Sequence, residues 1–174
     1  MPHIPRAFTL IELAVVALIL AIAASIALPA MDGLLARAQL HQASEVLAED
    51  LASARRAATL RGRAITICPS GDGHRCQPGA GWEAGWVTLD GTRALSVHDA
   101  LPRRLATRSS MARTGIRFDP SGMAPGGNDT ITLCVRKRPD MAVSVVISMA
   151  GRIRTEPPGA RHIGACATFR ENNR

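Results

Sequence analysis

One acidic residue, Glu12, stands at the head of a long apolar run that opens Phe8-Thr9-Leu10-Ile11-Glu12-Leu13. Before the run lie Met1 to Ala7, with one positive charge at Arg6, and from Leu13 to Met31 no side chain is charged. A charged group inside an apolar membrane helix costs roughly 2.5–3.5 kcal/mol, so an acid placed there is a functional residue by default. Its partner would be the ammonium group created by a cut between Ala7 and Phe8, which would make Glu12 the fifth residue of the mature chain. An ordinary signal peptide is the plainer alternative, with Ala21-Ile22-Ala23 imitating its cleavage site. The run from Phe8 to Met31 is nevertheless 24 residues long, enough for a bilayer crossing of roughly 20 residues. Neither a signal peptide nor a plain anchor accounts for the glutamate.

A second constellation is Gly151-Arg152-Ile153-Arg154, after the apolar stretch Val143 to Met149. In extended backbone Arg152 and Arg154 would point to one side, roughly 6.7 Å apart along the chain. Ile153 would face the core, and Gly151 would let a phosphate approach the backbone. Two guanidinium groups on one face can grip neighbouring phosphates through forked, charge-assisted bonds. Arg161, and Arg136-Lys137-Arg138 in the preceding hairpin region, would widen the basic surface. Charge distribution supports an acidic partner. Residues 1–100 carry eight basic and nine acidic side chains and residues 101–174 thirteen and five, so the net +7 belongs to the C-terminal part. Lys137 is the only lysine, and arginine makes the forked bonds to phosphate that lysine cannot. The plain alternative is a pair of solvated arginines on an edge strand, where charge discourages aggregation.

Cys68, Cys76, Cys134 and Cys166 are the remaining reactive groups. Four cysteines in an exported domain suggest two disulfides among three connectivities. Cys68–Cys76, closing a turn-rich segment, and Cys134–Cys166, pinning the C-terminal tail, form the favoured set. No two cysteines have the short spacing of a zinc site, and disulfides indicate the periplasm or cell exterior. The five histidines, at positions 3, 41, 74, 98 and 162, are scattered. With no metalloprotease motif, phosphate loop or nucleophile elbow, the expectation is no enzyme, no metal and no cofactor.

These groups need a scaffold. A helix is predicted from Phe8 to about Leu60, interrupted or bent near Pro29. In its second half Ala43, Val46, Leu47, Leu51, Ala54 and Ala58 recur at three- and four-residue steps as an apolar stripe. Glu45, Glu49, Asp50, Arg55 and Arg56 fall on the solvated side. Gly62 and Arg63 end the helix. Strands are predicted at Ala64–Cys68, Trp86–Leu89, Ile116–Phe118, Ile131–Val135, Val143–Met149 and Ala165–Phe169, separated by Gly- and Pro-rich turns. Trp82 and Trp86 read as core residues rather than base-stacking platforms. A long helix followed by strands is an α+β order. The expected division is a leader, 1–7, a transmembrane and filament half of the helix, 8–31, and a periplasmic globular domain, 32–174.

The N-terminal segment resembles that of type IV pilins and type II secretion pseudopilins, with Ala7 where glycine usually precedes the cut. Pro29 would be residue 22 of a chain starting at Phe8, where these proteins often carry a kinking proline. Ile67-Cys68-Pro69-Ser70, Asp72-Gly73, Cys76, Trp82 and Gly85-Trp86 are similar to the GspH/FimT branch, and Gly151-Arg152-Ile153-Arg154 to the Gly-Arg-x-Arg element of FimT-type minor pilins. The resemblance implies a pilin-like α+β fold, a long helix packed on antiparallel sheet. It implies cleavage and N-terminal methylation by a prepilin peptidase, and pairing of Glu12 with the N-terminus of a neighbouring subunit. It implies a single-pass protein of the bacterial inner membrane and of a pilus at the cell surface. Its partners would be other pilin subunits and double-stranded DNA, bound without sequence preference during natural transformation. The alternative is a minor pseudopilin of type II secretion, or a pilus-assembly component, without a DNA role.

Overall fold

The computed structural model describes residues 10–110, 114–159 and 166. Helix α1 spans Leu10–Arg61 and runs through Pro29 without the expected interruption. It ends at Gly62, whose φ of +64° places it in the left-handed region that glycine adopts most easily after a helix. The chain divides into two units, Met1–Ala36 and Arg37–Arg174.

In the first unit the side chains of Leu10, Ile11, Leu13, Val15, Val16, Leu18, Ile19, Leu20 and Ile22 are all exposed. Glu12 is exposed among them. Among the described residues no helix is long and apolar enough to cross a membrane. The expected span, 8–31, begins outside them.

The second unit holds the core. Within it α1 buries Leu40, Ala43, Leu47, Leu51, Ala54 and Ala58. Val46 is only half-buried. Leu47 and Leu51 are wholly removed from solvent, each a contribution of about 1.5–3 kcal/mol. Eight strands follow: β1 Ile65–Pro69, β2 Trp86–Asp90, β3 Arg93–His98, β4 Leu105–Ser109, β5 Ile116–Phe118, β6 Asp129–Val135, β7 Arg138–Ile147 and β8 Ile153–Glu156. They form two four-stranded sheets, ordered β3-β2-β1-β5 and β4-β6-β7-β8, and every pairing is antiparallel.

Trp82 and Trp86 are buried, as expected. The Trp86 indole donates to Asp50 Oδ2 at 2.8 Å and stacks on His98 with ring centroids 3.9 Å apart. Asp50 is therefore a core-edge partner rather than a solvated charge. Of the predicted strand Ala165–Phe169 only Cys166 is described, and it is helical. β3, β4 and β8 were not anticipated as strands of their own. The cysteines join as favoured, Cys68 to Cys76 with Cα atoms 5.4 Å apart and Cys134 to Cys166 at 6.1 Å.

Candidate nucleic-acid interface

The Gly-Arg-Ile-Arg motif lies at the hairpin between β7 and β8. Gly151 N–H donates to Ser148 O at 2.8 Å and Ser148 N–H donates to Arg152 O at 2.9 Å. Gly151 has φ +75°. This is a three-residue loop closed by a left-handed glycine, one of the common hairpin connections. Arg152 N–H also donates to Ser148 Oγ at 3.0 Å. Arg152 thus pairs with Ser148 at the foot of the loop, and β8 starts one residue later.

That geometry changes the roles expected for the motif. Gly151 is buried, and a Cβ there would overlap the Gly122 carbonyl oxygen and crowd Arg55 Nε. The missing side chain admits a neighbouring turn, Asp119 to Met123, rather than a phosphate. Arg154 lies in the ladder opposite Val146, and its Nε is held by Glu156 Oε2 at 2.7 Å. Arg152 instead lines a cleft together with Ile153. Arg152 and Arg154 are both exposed, with the half-buried Ile153 between them.

The cleft holds about 380 Å³, and its other wall is α1, through Ala52, Arg55, Arg56 and Thr59. Arg55 is half-buried and donates from Nε to Gly122 O at 3.0 Å. The turn that supplies this carbonyl is organised by Asp119, which accepts from the backbone N–H of Ser121 and Met123 and from the Ser121 hydroxyl. The Ser121 hydroxyl is the main cause that holds the Asp119 carboxyl below its ordinary pKa. Arg56 pairs with Glu49 at 2.6 Å, both side chains exposed. The Arg152 side chain makes no hydrogen bond or ion pair among the described residues. Arg55, Arg56 and Arg152 thus line one opening, while Glu49 is tied to Arg56 and Glu156 to Arg154.

Arg136, Lys137 and Arg138 do not extend this surface. They occupy the β6–β7 turn, at the far end of the ten-residue β7, about 30 Å away at the rise of a strand. Arg136 Nε donates to Arg103 O at 3.0 Å and Leu105 O at 3.1 Å, which ties a loop down. Lys137 takes the left-handed turn position at φ +66°. Arg138 approaches Asp140 at 4.0 Å. Arg161, Ala7 and Phe8 lie outside the described residues. Arg55 and Arg56 were read as solvated charges. The available signal was Arg55's place one turn after Leu51 and next to Ala54, at the border of the buried stripe.

Several comparisons bear on this arrangement. Residues 43–151 match the family described as type II transport protein GspH, and residues 5–28 match the prokaryotic N-terminal methylation motif. The type IV minor pilin FimU of Pseudomonas aeruginosa shares 28% identity at a TM-score of 0.59, with 70% of this chain and 90% of that chain covered. The minor pseudopilin EpsH from the type 2 secretion system of Vibrio cholerae shares 13% identity at a TM-score of 0.52, covering 70% and 98%. At that identity the likeness shows the fold. No curated protein matches the chain.

Proposed function

The chain belongs to the GspH family and is a minor pilin or pseudopilin of a type IV pilus or type II secretion system; from that premise we propose that it captures extracellular double-stranded DNA for uptake. The observation that carries this reading is Arg152, an exposed arginine whose side chain has no partner among the described residues, at a hydrogen-bonded hairpin where it lines one cleft with Arg55 and Arg56. The excess of basic side chains in residues 101–174 supplies the wider field that draws in a polyanion. Contacts to phosphate hold a duplex in place without reading its bases, so binding is independent of sequence. The buried tryptophans offer no platform for the stacking that marks single-strand binders. The apolar first half of α1 anchors the protein in the inner membrane and then in the pilus, after a prepilin peptidase has removed residues 1–7. Retraction of the pilus moves the bound DNA. Identity of 28% to a type IV minor pilin favours the pilus over secretion.

The test is titration of the full chain in detergent micelles with two unrelated duplexes. Both should bind alike at low salt, with log affinity falling against log salt by about 0.9 per phosphate contact. The description of the family as a type II transport protein favours a second reading, a minor pseudopilin without a DNA role. That reading stands if no duplex binds at low salt.

A further inference from the structure

We propose that the cleft between α1 and the β7–β8 hairpin is a seat for one backbone phosphate, gripped from the strand side by Arg152 and from the helix side by Arg55 and Arg56. The inference rests on the DNA-binding reading and adds the helix to a surface that sequence reasoning had confined to the hairpin and the tail.

Three observations carry it. Arg55, Arg56 and Arg152 line the same cleft, although the helix pair and the hairpin residue lie almost a hundred positions apart in the chain. Their charges repel one another, and the carboxylates beside them do not balance all three. Glu49 holds Arg56 and Glu156 holds Arg154, while Arg152 has no such partner among the described residues. Arg55 uses Nε to bind Gly122 O, which fixes the plane of its guanidinium and leaves its terminal nitrogens for a ligand. An anion in the opening offsets this repulsion, and a phosphate oxygen pair matches the fork of a guanidinium.

The cleft chemistry limits what enters. Ala52 and Ile153 add apolar surface to its walls. The Thr59 hydroxyl donates to Arg56 O at 2.9 Å, so the donors to a ligand are the arginines. The space of about 380 Å³ admits a phosphodiester with part of its sugar. A purely apolar ligand would leave the arginine charges uncompensated.

Glu49 and the phosphate compete for Arg56. The pair is exposed on both sides, and such pairs are weak, so a phosphate displaces the carboxylate at little cost. Removing the carboxylate charge should strengthen binding.

The experiment uses the full chain in detergent micelles with one duplex across a range of salt. Arg56→Gln, Arg152→Gln and their double variant are compared with Arg93→Gln, an equal charge change on exposed β3. Arg55 is left in place because it also supports the Asp119 turn. Each cleft variant should weaken binding about tenfold, the worth of a charged hydrogen bond, and Arg93→Gln much less. Because both arginines hold one phosphate, the double variant should fall well short of a hundredfold loss. The salt slope should drop by about 1 in all three cleft variants. Glu49→Gln should bind more tightly than the unmutated chain. If Arg56→Gln behaves like Arg93→Gln while Arg152→Gln loses affinity, DNA binding stands and the shared seat is wrong. A full hundredfold loss in the double variant, with a slope reduced by 2, would mean two separate phosphates and also overturn it. An unmutated chain that binds no duplex ends both readings.

Discussion

Replacing Gly151 by alanine separates a packing role for this residue from a ligand-binding one. The perturbation adds one methyl group at a position where φ is +75°. An L residue in the left-handed region costs about 1–2 kcal/mol. The new Cβ would also overlap the Gly122 carbonyl oxygen and stand 3.0 Å from Arg55 Nε. A backbone oxygen cannot rotate away as a side chain does, so the hairpin and the Asp119 turn must move apart, and the Arg55–Gly122 bond is strained with them. Together these put the cost at about 3–4 kcal/mol, in the range of a named steric mechanism. Gly62→Ala is the internal standard. It shares the left-handed backbone at φ +64° but has nothing within 4 Å of the added Cβ, so only the conformational cost remains, at the low end of that range, about 1 kcal/mol. For a domain of this size 1 kcal/mol shifts the melting temperature by roughly 3–4 °C. Gly62→Ala should therefore lose about 4 °C and Gly151→Ala roughly 10–15 °C, read from the fluorescence of the buried Trp82 and Trp86 on heating. If the two variants melt within about a degree of each other, Gly151 is not packed against Gly122. Weakened DNA binding with a melting temperature equal to that of Gly62→Ala would restore the reading of Gly151 as an opening for phosphate.

Other perturbations test other parts of the molecule. The Cys134–Cys166 bond spans a sequence separation of 32 and should contribute about 4 kcal/mol on the chain-entropy account; Cys166→Ser should lower the melting temperature accordingly, and a non-reducing peptide map joining Cys68 to Cys134 would reject the connectivity. Mass spectrometry of protein from its host should find a methylated N-terminus at Phe8, whereas a start near Ala24 would mean ordinary signal cleavage. Glu12→Ala should still be processed yet enter filaments poorly, because a neighbour's ammonium would be left without its counter-charge in an apolar setting; normal incorporation would refute the pairing.

Local patterning carried much of the architecture. The 3.6-residue recurrence of Leu47, Leu51, Ala54 and Ala58 marked the buried face of α1, and Gly62 marked its end, because helix periodicity and a left-handed cap are properties of adjacent residues. Alternation and β-branching likewise marked β1, β2 and β5. The cysteine spacing favoured the pairing found, since Pro69 to Arg75 is rich in turn residues. Edge strands were harder. Arg93–His98 is exposed along most of its length and no residue of Ile153–Glu156 is fully buried, so neither shows the apolar alternation that announces a half-buried strand. Tertiary structure alone decided the character of the site. Spacing in the chain placed Arg152 beside Arg154, but only the fold gave Arg152 a cleft shared with α1 and paired Arg154 with Glu156. It likewise carried Arg136-Lys137-Arg138 to the opposite end of β7. Arg55 and Arg56 met Arg152 only because helix and hairpin pack together across nearly a hundred residues. Short-range periodicity reports which face of an element is apolar, but not which distant element comes to cover it.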